Sequence, residues 1–174
     1  RVMDDDGREL PAGEVGELWI GGPMVVPGYW ANAEATAASF TAGFWHSGDL
    51  GSVDADGFVR IVDRKKDMLN RGGFKVYSVK VENVLLSAPG VVEAAVIGVP
   101  CPVLGERVHA VLYAPGLGDG DAEALRRHCA ERLADYEVPE RLVWSTLPLP
   151  RNANGKVLKR ALREQHAHVR GDPP

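Results

Sequence analysis

Most of the chemistry-bearing residues of this chain are cations, and Lys156 poses the sharpest question. It lies in PRNANGKVLKRALRE (150–164), after Gly155 on a polar, turn-forming stretch and just before an amphipathic run. That run predicts a helix over 157–166, which would set Lys156 at the positive end of a helix dipole. A cation there is disfavoured by about 0.3–1 kcal/mol. The plain account is a solvated surface charge; the functional one is a cation held for an anionic ligand. Six basic residues stand among 151–170 against Glu164 alone. Another six (Arg60, Arg64, Lys65, Lys66, Arg71 and Lys75) stand among 60–75 against Asp63 and Asp67. Facing each other across a cleft, the two clusters would form an anion site, although a charge run is more often a solvated face. Metal chemistry has less support. DADG (54–57) resembles the start of a calcium loop, but its twelfth position is Lys65 rather than a glutamate.

Composition sets limits on the chemistry. The 174 residues suffice for one ordinary domain or two small ones. A net charge of -4 gives no general reason to expect nucleic acid or an anionic membrane as partner. No apolar run approaches the ~20 residues of a membrane span. Two isolated cysteines, Cys101 and Cys129, make neither a disulfide framework nor a metal site and fit a reducing cytoplasm. The chain opens on Arg1 with a strand-like segment, which reads as a piece of something longer.

The elements expected to carry these residues change character near Arg64. Before it, GELWI (16–20) reads as a strand, 34–40 as a short helix, and 45–49 as the entry to a turn. DADGFVRIVDR reads as a hairpin with Asp56-Gly57 at its tip. After it, 79–87 has helical spacing, 91–99 and 108–113 are β-branched apolar strands, and 122–133 is a helix with Asp121 as N-cap. A short strand over 142–145 and the helix over 157–166 close the pattern. This predicts an α+β fold: the β-rich end of one domain over 1–65, a small α+β domain over 66–166, and a loose tail over 167–174.

Four stretches in order carry a more specific signal: FWHSGDLG (44–51), IVDRKKDMLNRGGFKVYS (61–78), GVPCPVLGERVHA (98–110) and PRNANGKVLKR (150–160). Together they resemble the C-terminal part of acyl-CoA synthetases. These belong to the adenylate-forming superfamily, with aryl-CoA ligases, peptide-synthetase adenylation domains and luciferases. The resemblance implies the end of a large AMP-binding domain followed by a small mobile lid. It also implies ATP and CoA as substrates beside a small carboxylic acid, and Mg²⁺ for which no ligand is identifiable here.

The resemblance assigns roles residue by residue. Asp49 matches the aspartate that holds the ATP ribose, where a carboxylate can accept from both hydroxyls of a diol. Arg64 matches the arginine near that ribose and phosphate; its plain alternative is an ion pair with Asp63 or Asp67. Lys66 falls at the hinge between two catalytic poses. Gly72 and Gly73 match the loop lining the pantetheine passage, with a simple tight turn as the alternative. Lys156 matches the lysine that contacts the carboxylate and the α-phosphate during adenylation, carried on a mobile loop.

The chain also departs from the pattern. Ser78 and Lys80 stand where a proline and an acid are usual, although Glu82 keeps a second acidic position, and Cys101 replaces a common aspartate. Glu137 and Glu140 flank Pro139 where CoA-using relatives are often basic, which would repel the 3′-phosphate of CoA. That acidity keeps a carrier protein open as the thiol partner. A non-catalytic interaction module of the same fold is the reading of a different class. With no phosphate loop or acid pocket in this sequence, the 174-residue chain alone is expected to be inactive.

Overall fold

The computed structural model describes residues 1–166; the loose tail expected over 167–174 lies outside them. The chain divides into two compact units, Arg1–Lys66 and the residues from Asp67 onward. Each contains one five-stranded sheet.

In the first unit, β1 (Val2–Met3) pairs antiparallel with β2 (Gly16–Ile20). The helix α1 (Ala33–Ser39) is capped by Asn32, whose side chain accepts from the Ala35 N–H. It leads into β3 (Phe40–Thr41), β4 (Phe44–Val53) and β5 (Val59–Arg64). β4 is the spine, paired with β2 on one edge and with β3 and then β5 on the other. The turn expected over 45–49 is therefore not there. Those residues lie within β4, where Trp45 and His46 pair with Ile20 and Trp19 of β2 and Asp49 pairs with Arg64 of β5; Gly48, with a φ of 71°, marks the irregularity between them. The expected hairpin does form. Asp54 accepts from the Asp56 and Phe58 N–H groups at its tip, and Gly57 takes the left-handed φ of 88°.

The second unit begins with a tight hairpin of β6 (Leu69–Arg71) and β7 (Phe74–Val76), followed by α2 (Ser78–Leu86). Then come β8 (Glu93–Cys101) and β9 (Gly105–Tyr113), paired antiparallel along their whole length. After α3 (Ala122–Ala130), β10 (Arg141–Ser145) returns parallel to β9, and α4 (Lys159–His166) ends the described chain. Leu69, Val76, Val81, Leu85, Val96, Val108, Leu112, Leu125 and Cys129 form the core on the α2 and α3 side. Burial pushes the Cys129 thiol up to about 11, against a weaker pull from Arg132, and makes it an inert core group. On the other face, Leu162 of α4 joins Ala95, Ile97, Val99, Val111 and Leu149. β8 is thus covered on both faces, which explains a continuous apolar run in an antiparallel strand where alternation is usual. Full burial of one such leucine contributes about 1.5–3 kcal/mol.

One cap and two boundaries in this unit have local causes. Asp121 stands at the N-cap of α3 as expected, but its carboxylate makes no capping bond to the helix; it accepts from the Gly118 N–H and closes a short 3-10 turn that precedes the helix. α3 ends at Ala130, where Arg132 and Leu133 both donate back to Cys129. α4 starts at Lys159 rather than 157, because Val157 is bridged to Arg151 and Leu158 donates to the Pro150 carbonyl.

Candidate functional site

In the first unit, register decides the site. Asp49 on β4 and Arg64 on β5 are direct cross-strand partners, and Arg64 Nε lies 2.8 Å from Asp49 Oδ1. The expected alternative, a side-chain pair of Arg64 with Asp63 or Asp67, does not form; Asp63 accepts from the Arg64 backbone N–H instead. Both side chains of the pair remain partly exposed, at 26% for Asp49 and 49% for Arg64. One carboxylate oxygen holds the arginine, so Asp49 keeps acceptor capacity for a hydroxyl-bearing ligand. Neighbouring Lys65 binds Glu17 at 3.1 Å and Asp5 at 3.2 Å. Burial alone would lower the Lys65 pKa, but these hydrogen bonds and charges outweigh it and raise the value. Lys66 closes the unit and is exposed.

In the second unit, Gly72 and Gly73 are the two central residues of the β6–β7 hairpin, with φ of 60° and 89°. Positive φ at both positions is the two-residue turn that matches strand twist, and residues with a side chain resist it. The tight turn is thus present, with exposed backbone at its tip.

The acidic stretch is the main surprise. Glu137 is 2% exposed, takes Lys80 Nζ at 2.6 and 2.8 Å, and accepts from the Ala134 N–H. Glu140 lies 2.7 Å from Arg71 Nε and 3.3 Å from Arg107 Nε. The expected repulsion of an approaching phosphate is therefore overturned: both charges are neutralised by cations of their own unit. Lys80 of α2 supplies the cation that faces Glu137.

The basic clusters are likewise largely internal. Arg151 meets Glu93 at 3.0 Å, Lys159 meets Glu82 at 2.6 Å, and Arg163 meets Asp67 at 2.7 Å. Lys156 stands apart. It is exposed, and its ammonium forms no ion pair among the described residues. It sits three residues ahead of α4, so the dipole penalty of a first-turn cation does not apply to it.

The turn that carries Lys156 is not a loose loop. Asn152 N–H donates to the Lys156 carbonyl and Gly155 N–H to the Asn152 carbonyl, both at 2.9 Å. Asn152 Oδ1 accepts from the N–H groups of Asn154 and Lys156. Sequence reasoning passed over Asn152 and Glu93. An acid inside the apolar strand run and an amide ahead of Asn154-Gly155 were the available signals.

Comparison with known proteins places this geometry. Residues 80–156 match the AMP-binding enzyme C-terminal domain. The chain superimposes on ATP-bound MatB from Rhodopseudomonas palustris with a TM-score of 0.89 at 39% identity, covering 97% of this chain and 34% of that one. Residues 80–156 thus resemble the C-terminal domain of AMP-binding enzymes, within an α+β fold like that of the MatB structure. More particularly, the chain resembles CoA ligases. A long-chain-fatty-acid–CoA ligase of Yersinia pestis is 42% identical over 169 residues, 97% of this chain and 30% of that protein. The o-succinylbenzoate CoA synthetase of Bacillus subtilis, in complex with the acyl-adenylate OSB-AMP, gives a TM-score of 0.84 at 36% identity, covering 99% of this chain and 34% of that one. The chain therefore spans about a third of the length of the relatives it matches. Among the described residues, no helix is long and apolar enough to cross a membrane.

Proposed function

We propose that this chain is the C-terminal part of an ATP-dependent carboxylic acid–CoA ligase. Such an enzyme joins the acid to AMP with release of pyrophosphate, and the thiol of CoA then takes the acyl group with release of AMP. The observation that carries the reading is Lys156: an exposed cation, free of carboxylate partners among the described residues, on a hydrogen-bonded turn. Attack of a carboxylate on the α-phosphate brings two anions together, and a fixed cation between them lowers the barrier. Asp49 would hold the ribose hydroxyls, with Arg64 orienting it and contributing charge near the phosphates. Gly72 and Gly73 would let the pantetheine arm pass close to the backbone, and Lys66 would be the pivot between the two half-reactions. Mg²⁺ would accompany ATP, with its ligands outside the described residues. A cytoplasmic location goes with these substrates. Glu137 and Glu140 no longer favour a carrier protein as acceptor, since Lys80, Arg71 and Arg107 absorb their charge.

Two variants of the enzyme carrying this chain test the assignment. Lys156→Ala should lower adenylation, read as acid-dependent pyrophosphate exchange, by ~10²–10³-fold. Thioester formation from supplied acyl-adenylate should survive in that variant. Lys66→Pro, which fixes φ and removes a backbone donor, should do the reverse. Equal losses in both half-reactions would reject these roles, and a wild-type enzyme without pyrophosphate exchange would leave the interaction module as the better reading.

A further inference from the structure

The Lys156 turn is built around a side chain that is neither cationic nor in contact with a partner element. Asn152 uses one atom, Oδ1, to accept from Asn154 N–H at 3.0 Å and from Lys156 N–H at 2.9 Å. Its backbone closes the same turn from both sides, donating to Lys156 and accepting from Gly155. Gly155 takes a φ of 78°, which brings its carbonyl to Arg151 Nη1 at 2.7 Å. Arg151 in turn reaches Glu93 on β8, whose other oxygen accepts from the Leu149 N–H. A chain of contacts thus runs from the central sheet to the amide of Lys156.

We propose that Asn152 is a positioning residue for the adenylation step, acting only through Lys156 by fixing where its side chain leaves the turn. Arg151 and Glu93 seat the turn on the sheet. The inference rests on Lys156 being the cation of that step. It explains a solvent-exposed amide spending its acceptor on two local N–H groups, one of them that of Lys156. Water could satisfy both donors, so their burial is not the reason; the gain is a single backbone pose. A misplacement of about 1 Å at a reacting group can cost ~10²-fold in rate.

The test compares four enzymes by pyrophosphate exchange: wild type, Asn152→Ala, Lys156→Ala and the double variant, with Asn152→Ser as a rescue. Asn152→Ala should lower the exchange rate by ~30–100-fold. Serine, whose hydroxyl forms the same turn more weakly, should recover most of that loss. The double variant should be no slower than Lys156→Ala alone, because a group acting through another adds nothing once that other is gone. Multiplying losses, a silent Asn152→Ala, or a serine no better than alanine would each overturn the proposal. If Lys156→Ala is itself silent, the underlying reading falls and the positioning role falls with it. A damaging Lys156→Ala beside a silent Asn152→Ala rejects the positioning role alone. In the 174-residue chain, amide exchange at Lys156 gives a readout independent of activity. It should quicken about tenfold in Asn152→Ala, the worth of one net hydrogen bond, and unchanged exchange would also count against the proposal.

Discussion

Two stretches of the second unit look alike in sequence and behave oppositely in the fold. DYEVPE (135–140) and PRNANGK (150–156) are both short, polar and charged, and each contains one proline. In the first, Glu137 is buried on Lys80 and Glu140 is shared by Arg71 and Arg107. In the second, Arg151 is bound to Glu93, but Lys156 is left in solvent. The difference lies in where the partners sit. A charge becomes structural when another element of the same unit delivers its opposite; it becomes available for a ligand when none does.

The strongest way to break this contrast is Glu137→Lys. It would put a second ammonium against half-exposed Lys80 in the buried position of Glu137, and solvent at Lys80 keeps the cost below the ~3–5 kcal/mol of breaking a fully buried pair. Amide exchange of β8 and β9 should report that loss. Exchanging the pair, Lys80→Glu with Glu137→Lys, should recover most of it. Undiminished stability in the single variant would mean that the acidic stretch is as free as the lysine turn. Glu140→Gln should cost less, about 1 kcal/mol, since its arginines retain solvent that screens them. A loss as large as that of Glu137→Lys would show that depth of burial does not separate the two glutamates. The smallest effect is expected for Lys156→Ala. Its unfolding free energy should stay within about 0.5 kcal/mol of wild type, while adenylation collapses. A clear loss of stability there would turn Lys156 into one more internal charge and erase the comparison.

The long elements of this fold are legible in sequence and the short ones are not. β8 and β9 announce themselves through the apolar, β-branched runs over 91–99 and 108–113, and α2 as a helix by its spacing. β6 and β7 have three residues each and are half polar, too short for any periodicity. Their existence depends on the Gly72-Gly73 turn and on pairing with the start of β9. That β10 runs parallel to β9 could not be read locally, because direction is set by the path of the intervening α3. In the candidate site, the family resemblance pointed to Asp49, Arg64 and Lys156, but pairing required register. Asp49 meets Arg64 because β4 and β5 place them opposite, fifteen positions apart in sequence. The burial of Glu137 was hidden for the same reason: its cation comes from α2, and sequence proximity gave no hint of it.

The ion pair of Arg163 with Asp67 has a mechanical meaning. Arg163 belongs to the helix that follows the lysine turn, and Asp67 is the first residue of its unit. The same helix is bolted to the sheet by Leu162 and, through Lys159, to Glu82 of α2. The first residue of the unit and the turn that carries Lys156 are therefore tied to one and the same helix, more rudder than tentacle. Were the unit to turn about Lys66 as proposed, the helix would carry the lysine turn with it, and Lys156 would have no need of a floppy loop in order to travel.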